Sequence, residues 1–114
     1  MFASRKTGLW VRRGLLCLGL AIAAVGVHAE EGKIAVVIDN FTFSPGALTI
    51  RKGTAVTWTN HDDIPHTVYA AGTNIRSKTL DTDQSYTYTF DKAGTFNYIC
   101  ALHPHMKGKV IVTE

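Results

Sequence analysis

An antiparallel β-sandwich or barrel is the fold class this sequence predicts, on three observations. Apolar residues recur at every second position through most of residues 30–114, short turn signals separate those runs, and no segment there carries helical periodicity. Ile34, Val36 and Ile38 form the first alternating set. Ser44-Pro45-Gly46 breaks the chain before Leu48 and Ile50, and Lys52-Gly53 breaks it again before Val56 and Trp58, which alternate with Thr57 and Thr59. After the polar turn Asn60 to Asp63, His66, Val68 and Ala70 alternate with Thr67 and Tyr69 as far as Ala71-Gly72. Tyr86, Tyr88 and Phe90 follow, then the turn Ala93-Gly94, then Phe96, Tyr98 and Cys100, and finally Val110 and Val112. A period of two buries one face of a strand, so each set predicts a strand with its apolar side turned inward. No internal repeat, low-complexity tract or linker interrupts this part of the chain.

The first 29 residues have a different character. Arg5, Lys6, Arg12 and Arg13 precede an apolar run from Gly14 to Val27, and Val27-His28-Ala29 offers small residues at the usual cleavage positions. This pattern predicts a signal peptide over 1–29 and a single small domain over 30–114. The apolar run is about 14 residues long, whereas a membrane-spanning helix needs roughly 20, so the mature form is not expected to be membrane-embedded. Arg12-Arg13-Gly14-Leu15-Leu16 resembles a twin-arginine export signal, although Val11 stands where Ser or Thr is usual; Sec and twin-arginine export both stay open. Cys17 lies inside the apolar run, a poor position for lipidation. The predicted location is the periplasm or another exported compartment.

Removing the leader takes four of the 12 Lys and Arg and none of the 9 Asp and Glu, leaving a domain of net charge −1 with His neutral. The basic character of the whole chain therefore belongs to the leader, and nucleic-acid binding loses the cationic patch it requires. Cleavage also leaves Cys100 and Met106 as the only sulfur-bearing side chains. No intramolecular disulfide is then possible, and a lone thiol in an oxidising compartment is a hazard unless it is buried or ligated.

Cys100-Ala101-Leu102-His103-Pro104-His105-Met106 sets a thiolate, an imidazole and a thioether at three-residue intervals, just upstream of the predicted last strand. That donor set suits copper as it cycles between its two oxidation states. The fourth ligand must come from elsewhere, and His66 in Pro65-His66-Thr67-Val68 is the best candidate, since its alternation with Val68 and Ala70 points it inward. The four residues would form a mononuclear His2Cys site with Met106 as the long axial ligand. His105 reads as a surface residue, and His61 is a weaker rival for the first ligand position because its polar turn suits solvent.

The Cys100 to Met106 loop, the segment Val56-Thr57-Trp58-Thr59-Asn60 leading into Pro65-His66-Thr67-Val68, and Gly94-Thr95-Phe96-Asn97-Tyr98-Ile99-Cys100 together resemble the cupredoxins, the small blue copper proteins. The short Cys-x2-His-x2-Met spacing is similar to that of amicyanin-type members. The resemblance implies a Greek-key sandwich or barrel holding one type 1 copper ion per chain, with His66, Cys100 and His103 equatorial and Met106 axial. It implies that Asn60 ties the first-His segment to the Cys loop, orienting the ligands from behind. It also implies an electron port at His103, flanked by Pro104, Ala101 and Leu102. Amicyanin-type proteins pass electrons from a periplasmic amine dehydrogenase to a c-type cytochrome; the segment before Val56 is short for that type, so redox partner proteins are expected without that particular pathway.

The expected function is one-electron transfer between Cu(I) and Cu(II) rather than catalysis, because four filled ligand positions leave no open site for a substrate. The alternative is a copper carrier, delivery or sensing protein using the same donors, which would benefit from an exposed, exchangeable site. A Cys-His hydrolase would leave Met106 without a role and has little room for a cleft in 85 residues. Zinc is disfavoured by the thioether.

Overall fold

In the computed structural model, which describes residues 33–114, nearly every predicted alternating run becomes a strand. The proposed leader and its cleavage position lie outside the described residues. The strands are β1 (Lys33–Asp39), β2 (Thr42–Ser44), β3 (Ala47–Arg51), β4 (Thr54–Asn60), β5 (Ser85–Phe90), β6 (Gly94–Cys100) and β7 (His103–Thr113), and there is no helix among the described residues. Three-residue β2 is too short to show a period of two and was not separable from the turn in the sequence.

One sheet has the order β2-β1-β4-β5 and the other β3-β7-β6, so the all-β sandwich is as expected. Its pairing is not wholly antiparallel, which corrects the sequence expectation. β1 runs parallel to β4, and β3 parallel to β7. Parallel neighbours cannot be joined by a hairpin and need a crossover. Here the crossovers are strands themselves: β3, between β1 and β4 in sequence, belongs to the opposite sheet, and between β3 and β7 the chain passes through β4 and β5 of the first sheet before returning to the second at β6.

The core lies between the two sheets. β4 alternates buried and half-buried residues along its whole length, with Val56, Trp58 and Asn60 fully covered. Trp58 stands edge-on to Tyr98 of the facing sheet with ring centroids 5.4 Å apart, and Phe43 of β2 meets the same Tyr98 at 4.8 Å. Edge-to-face arrangements of this kind add about 0.5–1.5 kcal/mol beyond the area they bury. Tyr98 pairs across the strands with Gly108, where a Cβ would collide with the tyrosine ring. Around these rings Val36, Ile38, Ile50, Phe90, Val110 and Val112 close the interior.

Candidate metal centre

The spacing of Cys100 and His103 is explained by a two-residue hairpin. Ala101 and Leu102 form the turn between β6 and β7, and Cys100 and His103 face each other as a cross-strand pair. Directly opposed residues share one face of the sheet, so a Cys-x2-His interval delivers thiol and imidazole side by side. The donors therefore do not all lie in a loop before the last strand; β7 begins at His103 and carries both His103 and Met106.

Those two are three residues apart, an odd interval that would place them on opposite faces of a regular strand. A break in register removes the conflict. Below it the ladder pairs Ile99 with Lys107, and its continuation would set Cys100 against Met106; Cys100 pairs instead with His103. The extra residues of β7 form a bulge in which Pro104 and His105 are exposed while Met106 is buried among the core residues that include Cys100.

His66 arrives from a different segment, held by reciprocal backbone bonds with Leu80 at 3.1 and 2.8 Å, and its side chain is fully buried. The next contact along, Tyr69 with Ile99, ties this segment to β6. Cys100 Sγ then lies 3.7 Å from His66 Nδ1 and 3.6 Å from His103 Nδ1, and the three donor atoms fall within 4.8 Å of one another. Bonds of about 2.0–2.3 Å to a shared ion, spread roughly trigonally, would separate the donors by about 3.7 Å. The spacing and the S/N donor set thus fit a trigonal His2Cys metal site.

Two residues absent from the sequence-derived site hold these donors. Asp62 Oδ2 lies 2.8 Å from His66 Nε2 and accepts its N–H, leaving the Nδ1 lone pair directed toward the thiol. This is the carboxylate–histidine–metal arrangement, which sets both tautomer and ring orientation. The carboxylate also accepts the backbone N–H groups of Asn40 at 2.6 Å and Phe41 at 2.9 Å. Desolvation pushes the Asp62 carboxyl upward, but the bonds from Phe41, Asn40 and His66 outweigh it and hold the pKa below the usual aspartate value. The clue in the sequence was a carboxylate four residues before the first His.

Thr67 is the other. Its backbone N–H approaches Cys100 Sγ at 3.4 Å, its hydroxyl lies 3.9 Å from the same sulfur, and that hydroxyl oxygen accepts the Ala101 N–H at 2.8 Å. Thr67 therefore makes the tie between the first-His segment and the Cys turn that was expected of Asn60. Asn60 instead donates to the carbonyls of Ile64 and Leu80, at 3.0 and 2.9 Å, and accepts from Asp62 N at 2.9 Å. It shapes the turn that delivers Asp62 and His66, and its side-chain bonds go to that turn and to Leu80 rather than to the Cys loop. His61 and His105 are both exposed.

His103 is half-buried, beside exposed Leu102 and Pro104. The large hydrophobic side chains that stay exposed among the described residues are Phe41, Ile64 and Leu102. Phe41 meets the rings of His66 and His103, while Ile64 precedes His66 by two residues and Leu102 adjoins His103 in the chain.

Residues 13–112 match the family model described as a cupredoxin-like domain. The chain is 37% identical to amicyanin-alpha of Methylorubrum extorquens over 90 residues, covering 75% of this chain and 76% of that protein. It is 32% identical to an amicyanin of Paracoccus versutus over 118 residues, covering 98% and 88%. A chloroplastic plastocyanin of Tetradesmus obliquus is 32% identical over 124 residues, covering 94% and 86%. Among solved structures, the copper(I) form of an amicyanin mutant superposes with a TM-score of 0.69 at 34% identity, over 75% of this chain and 88% of that one.

Proposed function

The chain belongs to the cupredoxin-like domain family, and from that premise we propose that it is an exported one-electron carrier whose copper is held by His66, Cys100, His103 and Met106. The observation that carries this reading is the convergence of a buried thiol on two imidazole nitrogens, at 3.7 and 3.6 Å, from separate segments of a rigid sandwich. Bound there, copper supplies a single electron by alternating between Cu(I) and Cu(II).

The residues of this chain hold a geometry that suits both oxidation states. His66 is locked by Asp62, His103 by its pairing with Cys100, and the sulfur by the Thr67 N–H. Little of this framework must move when the charge at its centre changes, so reorganisation opposes transfer only weakly. Met106, buried at the β7 bulge, would be the weak thioether donor. His103, the half-buried ligand, brings the site to the surface beside Pro104 and Leu102, where redox partner proteins would dock. Four protein donors would leave no position for substrate, and the amicyanin and plastocyanin relatives are electron carriers rather than enzymes.

A copper-delivery role is disfavoured by the full burial of both Cys100 and His66, which impedes exchange. Export is supported by the basic and apolar leader over 1–29, with 30–114 as the mature domain. The deciding experiment is addition of Cu(II) to the purified protein. An intense blue colour from thiolate-to-copper charge transfer is expected, with slow loss to a competing chelator; a colourless complex overturns the electron-carrier reading, and rapid loss favours delivery.

A further inference from the structure

The backbone turn that joins β1 to β2 contains an unusual choice of residue. Asp39 pairs with Thr42, so Asn40 and Phe41 form a two-residue hairpin loop, and both have positive φ, 54° and 57°. Such a loop is a type I′ turn, which favours Asn at the first position and Gly at the second. A bulky residue at the second position is a backbone outlier, costly because its Cβ crowds the following carbonyl. Core burial does not account for it, since Phe41 remains 42% exposed. Strain persists where the surroundings over-determine it, and it clusters at functional sites.

What over-determines it is Asp62. One carboxylate receives the N–H groups of Asn40 and Phe41, and its Oδ2, which takes the Phe41 bond, also takes the N–H of His66. The turn is thereby locked to a metal-site histidine, and the ring of Phe41 is set edge-on against both imidazoles, 5.3 Å from His66 and 5.1 Å from His103. These two rings are themselves 5.0 Å apart, so Phe41 spans the pair from outside.

We propose that Phe41 is a shield over the donor cluster, held in a strained left-handed turn by Asp62 so that its ring keeps water and competing ligands from the two histidines. The proposal rests on the copper reading for its metal-release consequence, but not for the strain or the shielding. Fold stability and metal retention are opposed at this position, which separates a shield from ordinary packing.

The test compares Phe41→Gly with Phe41→Ala. Both remove the ring, and only glycine relieves the backbone. The apoprotein of Phe41→Gly should have a folding equilibrium constant about 5- to 30-fold above that of Phe41→Ala, the range expected for one left-handed residue. Both variants should release copper to a chelator several-fold faster than the unsubstituted protein, and in both apoproteins the His66 Nε2 proton should exchange with water faster by NMR. Equal stability of the two variants overturns the strain, and unchanged proton exchange in both overturns the shield. Faster exchange with unchanged copper release confines the ring to the apoprotein and also overturns the proposal. A protein that takes up no copper sinks the copper reading instead, and the exchange measurement then decides the shield alone.

Discussion

The backbone N–H of Thr67 points at the sulfur of Cys100 from 3.4 Å, across 33 residues of chain. The Thr67 hydroxyl, at the same point, accepts the N–H of Ala101 at 2.8 Å. A single residue therefore connects the segment that carries His66 to the turn that carries Cys100 and His103. Thr67→Val keeps the shape and the backbone N–H but removes the acceptor, leaving the Ala101 N–H without its protein partner. Stability should fall by about 1–3 kcal/mol in a denaturant titration, with a shifted charge-transfer band in the copper form. An unchanged midpoint and spectrum would show that the hydroxyl holds nothing.

Asp62 orients His66 through the 2.8 Å contact with Nε2. Removing such an outer partner typically weakens metal binding by about 10–100-fold. Asp62→Ala should show a loss in that range by competition against a chelator, and Asp62→Asn, which still offers an oxygen, a smaller one. Affinity within twofold of the original in Asp62→Ala would contradict the assignment.

The two sulfur residues should separate cleanly. Cys100→Ser is expected to abolish the blue colour, since no thiolate remains to donate charge. Met106→Leu conserves volume and should cost less than about 1.5 kcal/mol in stability, while retaining copper at a raised reduction potential because axial donation is lost. If voltammetry gives the same potential for Met106→Leu, Met106 is not the axial ligand.

Gly108 tests the core behind the site. A Cβ there would occupy the position of the buried Tyr98 ring, which is pinned between Trp58 and Phe43. Gly108→Ala should destabilise by about 1–3 kcal/mol through overpacking, read as a lowered melting temperature. A melting temperature at or above the original would mean that the ring has room to retreat.

Tyr98 also carries a pH dependence. Burial raises its pKa above the usual tyrosine value, the nearby Trp58 indole acting in the opposite sense. The folded state therefore keeps the phenol protonated where the unfolded chain has begun to ionise. Its contribution is complete below the ordinary value of about 10 and is lost as pH rises from there through the raised value. Unfolding measured across that window should become easier in the native protein and less so in Tyr98→Phe. Parallel alkaline profiles for the two would exclude Tyr98 as the source.

Much of the site could be read from local sequence because its parts are local. Cys100 and His103 straddle a two-residue turn, so their interval in the chain is also their geometry. His66 was recognisable from its alternation with Val68 and Ala70, which predicted the buried side chain that the structure has. Thr67 and Phe41 were not recognised, since each acts through a contact with a segment distant in sequence and neither belongs to a residue type that announces metal chemistry; Asp62, only four residues from His66, was passed over as part of a polar turn. Asn60 was given a bond to the Cys loop that Thr67 makes, an error of placement that alternation alone cannot correct.

The sequence by itself determined that most of residues 33–60 and 85–113 form strands with one buried face, because the period of two is an intrinsic property of extended backbone, whereas the alternating run from His66 to Ala70 forms only isolated bridges. It also determined the soft donor set, because donor chemistry resides in the side chains. Only the tertiary structure decided that β1 and β3 find parallel partners, that the ladder breaks after Ile99 so that His103 and Met106 both turn inward, and that one carboxylate serves a histidine and a strained turn together. Those features depend on which remote segments pack against each other, and the free energy that selects among pairings comes from burying both sheets at once, a quantity no local window of sequence contains.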